Sequence, residues 1–140
     1  MPAFTLHPQL AADTLDLGTV TPNGLCRLLL MNDATYPWFI LVPQINNIRE
    51  ICELTTKQRS QLWAESHTLS LALQTAFKPH KLNIAALGNM VPQLHIHHVA
   101  RYTTDPAWPA PVWGRLPAVV YDEVVRKQVI AALQQALTAS

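Results

Sequence analysis

Three of the six histidines fall in four consecutive residues of "VPQLHIHHVARY", Val91 to Tyr102. Imidazoles can ligate a metal, relay protons or attack an electrophile, so which of them point the same way decides the chemistry. Along an extended chain side chains alternate, so Gln93, His95, His97 and Val99 share one face while Leu94, Ile96, His98 and Ala100 share the other. The apparent triplet is then a pair, His95 and His97. His98, grouped with Leu94 and Ile96, is expected at the core margin or a sheet edge. The pair admits three uses. Histidines at i and i+2 can hold zinc, but zinc needs a third and usually a fourth ligand. His7 and His80 lie outside the predicted strands near that face, and no cysteine, HExxH motif or nearby acid completes a set, so no metal and no cofactor is expected. Alternatively, the pair is structural, with both rings buried and hydrogen-bonded. In the third use a neutral imidazole attacks phosphorus while its neighbour on the same face steadies the phosphoryl oxygens.

The elements that must position this pair can be read from the flanking pattern. "GLCRLLLMND" and "YPWFILVPQ" are short apolar runs bounded by turn residues, which predicts adjacent strands joined through Asp33 to Tyr36 and buried on both faces. Thr55 with Gln58 forms a capping-box pattern, and Leu62, Leu69, Leu73 and Phe77 recur at helical spacing, so Thr56 to Phe77 should be one long helix. His67 within it reads as an ordinary exposed helix histidine. "KLNIAAL" is expected to be a strand, "GNMVP" a turn and "QLHIHHVARY" the strand carrying the pair. Residues 103–118, rich in proline and holding Trp108 and Trp113, cannot continue a sheet interior and should wrap the body as an ordered loop. Residues 121–138 read as a helix whose stripe of Val125, Val129, Leu133 and Leu137 packs on a sheet or on a partner subunit.

Composition narrows the function classes. Lys and Arg total 10 against 9 Asp and Glu, which leaves no broad basic surface for nucleic acid. No apolar run approaches a membrane span, and "MPAFTLHPQL" lacks a charged n-region followed by an apolar h-region, so a cytoplasmic protein with no membrane partner is expected. Cys26 and Cys52 form no CxxC arrangement, as suits a reducing compartment. With 11 prolines and only 4 glycines there is no Walker or Rossmann phosphate loop. A chain of 140 residues fits one domain, 1–140.

"Q-L-H-I-H-H-V" resembles the His-φ-His-φ-His-φ-φ signature of the histidine triad (HIT) superfamily of nucleotide hydrolases and transferases, with Gln93 in the first histidine's place. "GNMVPQLHIHHVAR" is similar to the family's lead-in and trailing arginine, and "LLMND" with "PWFILVPQ" to the strands that shape its nucleoside pocket. The resemblance covers about residues 24–104, and the tail around "DPAWPAPVWG" resembles that of a bacterial subgroup. It implies an α+β, HIT-like fold: a mostly antiparallel sheet of about five strands, one long helix and a C-terminal helix, assembled as a homodimer. It also implies a nucleotide substrate cleaved at a phosphoanhydride, as in dinucleoside polyphosphates. His95 would be the nucleophile forming a nucleotidyl-histidine, His97 would hydrogen-bond the α-phosphate, and the Gln93 carbonyl would orient His95. Asn32 would contact the ribose, Asn89 the phosphate, and Leu30 and Ile40 would line the base pocket. The chain departs from the family pattern at Gln93, at Trp38, where many members have a fourth histidine, and at Met90, where a Ser or Thr stands near the leaving group. Fewer groups able to pass protons should favour phosphoanhydrides over phosphoramidates, whose amine must be protonated to leave. A nucleotide-binding module with little or no catalysis, and a zinc protein, are the rival expectations.

Overall fold

The computed structural model describes residues 3–139. Five antiparallel strands form one sheet in the order β1-β2-β3-β5-β4: β1 (Thr14–Thr19), β2 (Cys26–Met31), β3 (Trp38–Pro43), β4 (Lys81–Ala85) and β5 (Ile96–Arg101). Among the described residues three α-helices accompany it: α1 (Pro8–Asp13), α2 (Thr56–Phe77) and α3 (Glu123–Thr138). Every residue of β3 and β5 is buried, as the unbroken apolar runs require of central strands covered on both sides.

Alternation sorts the sheet into two cores. Cys26, Leu28, Leu30, Phe39, Leu41 and Ile96 face α2, against Leu62, Leu69 and Leu73, and Leu133 and Ala136 of α3 close the same cluster. Thr55 and Gln58 exchange the two hydrogen bonds of a capping box at the start of α2, and Lys78 in the left-handed region ends it. α3 packs on α2, and its Leu133 and Ala136 join the strand residues in the helix-side core; Val125, at the outer end of its stripe, stays exposed. Leu29, Trp38, Ile40, Val42 and Val99 face the other way, under Phe4, Leu6 and Leu10 of the N-terminal segment and Ala107, Val112 and Trp113 of the Pro/Trp loop.

Two buried charged groups fix these layers. The Glu65 carboxylate on α2 accepts from the backbone N–H groups of Leu25 (2.8 Å) and Cys26 (2.9 Å), joining the helix to the start of β2. Gly24 makes that approach possible, since a Cβ there would lie 3.0 Å from a Glu65 carboxylate oxygen and 3.1 Å from the Thr21 carbonyl. Arg101, at the end of β5, donates to both Asp105 carboxylate oxygens (2.8 and 3.1 Å), to Asn83 (2.7 Å) and to the Ala110 carbonyl (2.8 Å), so it ties the Pro/Trp loop to the sheet. Only Arg's planar fork reaches so many acceptors at once.

Three expectations need correction. The histidine strand begins at Ile96, not Gln93, and residues 93–95 run irregularly beside Ile48, whose carbonyl accepts from the Leu94 N–H (2.8 Å). β4 ends at Ala85 rather than Leu87. α1 and β1 were not expected at all, because "TLDLGT" mixes polar and apolar residues with an edge strand's partial burial.

Candidate active site

His95 and His97 lie side by side, their ring centroids 4.9 Å apart at 68°, and are 6% and 5% exposed. Each ring is held by one nitrogen. His95 Nδ1 lies 2.7 Å from the Gln93 backbone carbonyl, which can only accept, so Nδ1 carries the proton and Nε2 holds a lone pair. The Trp38 indole Nε1–H donates to His97 Nδ1 over 3.0 Å; an indole N–H can only donate, so His97 carries its proton on Nε2. The neighbouring rings therefore have opposite tautomers, one offering a lone pair and the other an N–H. His98 points to the opposite face: its Nδ1 bonds the Ile96 carbonyl (3.1 Å) and its Nε2 the Ser66 hydroxyl of α2 (2.7 Å), which makes it a fastener between sheet and helix.

All three imidazoles are disposed to be neutral. Burial, with the charge of nearby His7 acting in the same direction, lowers His95 from its ordinary value despite the Gln93 carbonyl. Burial and the like charges of His95 and His98 push His97 down to about 3, and burial pushes His98 down to about 4.

The remaining predicted residues are dispersed. Gln93's side chain is committed to the N-terminal segment: its amide accepts from the His7 N–H (2.8 Å) and donates to the Thr5 carbonyl (2.9 Å). The N-terminal segment is thereby strapped across the histidine face, with Asn46 binding Thr5 and Ala3 next to it. Asn32 accepts from the Tyr121 N–H (3.0 Å) and so helps pin the chain leading into α3. Asn89 is in the exposed turn that leads to His95, beside Met90, which is 92% exposed. Leu30 and Ile40 cannot line one pocket: Leu30 pairs with Phe39 on the helix side, while Ile40 pairs with Leu29 on the histidine side. Ile40 is itself 0% exposed beneath the strap and loop.

Two further residues stand beside the pair. Trp113 stands edge-on to both His97 (5.3 Å) and Trp38 (5.9 Å), bringing the Pro/Trp loop into the site, and its own Nε1 is buried without a partner among the described residues. Arg49 shares a small cleft with His95, Gln93 and Gly88. Two larger hollows flank the pair without being lined by it. One of about 600 Å³ lies between the strap and Asn46, Arg49 and Gln93, and the other, about 410 Å³, lies between Asn32, Met31, Trp38 and Trp113. No pattern of spacing marks Arg49 or Trp113. Among the described residues no group of three or more His, Cys, Asp or Glu side chains is placed to hold a metal ion, and no helix is long and apolar enough to cross a membrane.

A five-stranded antiparallel sheet with a long helix on one face and an imidazole pair at the start of a central strand is the frame of histidine triad proteins. The HIT domain model matches residues 16–104, and the chain belongs to that family. It is similar along nearly its whole length to solved histidine triad proteins. That of Marinobacter aquaeolei VT8 is 52% identical over 99% of this chain and 98% of that one, with a TM-score of 0.91. That of Bradyrhizobium japonicum is 44% identical over 97% and 99%, with a TM-score of 0.92. A third, from Sinorhizobium meliloti 1021, is 41% identical over 95% and 96%, with a TM-score of 0.90. No curated protein matches.

Proposed function

We propose that the protein is a nucleotide hydrolase that cleaves a phosphoanhydride, of the kind found in dinucleoside polyphosphates, through His95. The observation that carries this reading is the opposed tautomers of His95 and His97. His95 Nε2 uses its lone pair to form an N–P bond to the α-phosphorus. The bridging P–O bond breaks and its electron pair leaves with the departing phosphate. His97 Nε2–H donates to a non-bridging oxygen as charge builds there. Water then adds to phosphorus, the N–P pair returns to Nε2, and one proton is released with the nucleoside phosphate. Arg49, an exposed cation lining the cleft beside His95, would meet the departing phosphates. A leaving phosphate needs no proton, in keeping with a site whose imidazoles are neutral. The preference for phosphoanhydrides fails if an adenosine phosphoramidate is turned over as fast as a dinucleoside polyphosphate.

Nucleotide binding with little turnover is the second reading, and it draws support from the strap and loop that cover His95, His97 and Ile40. Incubation with a radiolabelled dinucleoside polyphosphate, stopped with alkaline denaturant because N–P bonds are acid-labile, separates the two. The hydrolase reading expects label on the protein that His95→Ala abolishes. Binding without label, or label that persists in His95→Ala, overturns it. The family resemblance further supports a homodimer joined through sheet edges. β4 is an edge strand, and Ile84 on it is 44% exposed.

A further inference from the structure

We propose that Trp38 is a positioning residue that locks His97 in the Nε2–H tautomer, so that the site meets a phosphoryl group with a lone pair from His95 and an N–H from His97. The lock follows from the bond's chemistry: Trp38 Nε1 donates to His97 Nδ1 over 3.0 Å, and both side chains are buried. A proton moved to Nδ1 would face the indole N–H, costing the bond and leaving a buried donor unsatisfied. The fold holds the donor in place. Trp38 opens β3 opposite Val99 of β5, while Ile40 lies opposite His97, so the indole reaches His97 across the diagonal of neighbouring strands. Tyr36 and Trp113 pack edge-on against the same indole, at 6.3 and 5.9 Å, and restrict its rotation.

The ionisable groups acting on His97 from its own segment are His95 and His98, and neither favours a cation beside it. Trp38 and Trp113, the neighbours from the other elements, carry no charge. Without the indole donor the His97 ring would be free to take either tautomer, and a lone pair on His97 Nε2 would repel a phosphoryl oxygen. The use of this N–H on a phosphoryl group rests on the hydrolase reading. The tautomer itself does not.

Long-range proton–nitrogen correlation spectra of the protein labelled with nitrogen-15 histidine report each ring's tautomer directly. The expected result at pH 8 is His97 protonated on Nε2 only, and His95 on Nδ1 only. Trp38→Phe, which keeps a ring but removes the donor, should give His97 a mixed tautomer. It should also lower kcat by about two- to tenfold with KM little changed, in proportion to the fraction of His97 that no longer carries its proton on Nε2. Trp38→His, which restores a ring N–H, should recover part of both. A wild-type His97 protonated on Nδ1 or on both nitrogens overturns the proposal even if the Trp38 variants do not fold, and so does a Trp38→Phe spectrum unchanged at His97. A locked His97 in a protein that neither forms the His95 adduct nor turns over nucleotide upholds the lock and removes the hydrolase reading.

Discussion

Gln93 serves the site through two different groups. Its carbonyl orients His95, a contact any residue could make, while its side-chain amide straps the N-terminal segment through the His7 N–H and the Thr5 carbonyl. A histidine in its place could not offer an acceptor and a donor with the same reach, which gives the glutamine a physical reason to stand there. Gln93→Ala should therefore leave the orientation of His95 intact. It should destabilise the protein by about 1 kcal/mol, the net worth of a hydrogen bond or two. Hydrogen exchange should accelerate at the His7 amide, while the His95 tautomer read by nitrogen-15 spectra stays the same. A His95 ring that changes tautomer in Gln93→Ala would mean that the side chain, and not the carbonyl, holds that ring.

At the scale of elements, β4 tests the proposed assembly. It is paired on one side only, with Ile84 exposed, and an uncovered edge is a template for pairing with a second copy. Ile84→Lys would place like charges near one another across a two-fold axis, and about 1.4 kcal/mol of repulsion weakens a dimer tenfold. Light scattering should show a wild-type dimer and a shift toward monomer in the variant, partly reversed by salt. A wild-type monomer, or a dimer indifferent to the change, rules out this edge. The elements themselves differ in how legible they were. α2 was readable in full because its capping box and apolar stripe are local signals, and the paired runs of β2 and β3 announced central strands. Leu30 was misassigned because a strand's two faces differ by a single residue of register, and nothing local says which parity meets Ile40. The Trp38 to His97 bond spans 59 residues of sequence and depends on strand pairing across β3 and β5, so only the folded register reveals it.

Over the whole molecule, helices close one face of the sheet and the strap and Pro/Trp loop close the other, so three histidines are buried between them. The solved relatives superpose on 95% or more of this chain, well past the end of the family match at residue 104, so the closing loop belongs to the shared architecture. Interior histidines make stability depend on acid in a definite direction. His97 and His98 titrate near 3 and 4 when folded but near 6.5 when unfolded, and His95 is also lowered. Below pH 6.5 the unfolded chain takes up protons that the native state refuses, so stability is complete above that value and is lost as pH falls toward the folded values. From pH 7 to pH 5 each imidazole that stays neutral in the fold should cost about 2 kcal/mol of stability. Carboxylates, with ordinary values near 4, remain ionised in this window and contribute little to the slope. Urea melts across it should show the midpoint falling with acid. His98→Gln keeps a polar side chain between Ile96 and Ser66 but cannot titrate, and it should flatten the slope by about 1.4 kcal/mol per pH unit near pH 5, whatever it costs at neutral pH. An unchanged slope in that variant would mean that His98 is protonated in the folded protein, contrary to the acceptor role its Nε2 plays toward Ser66.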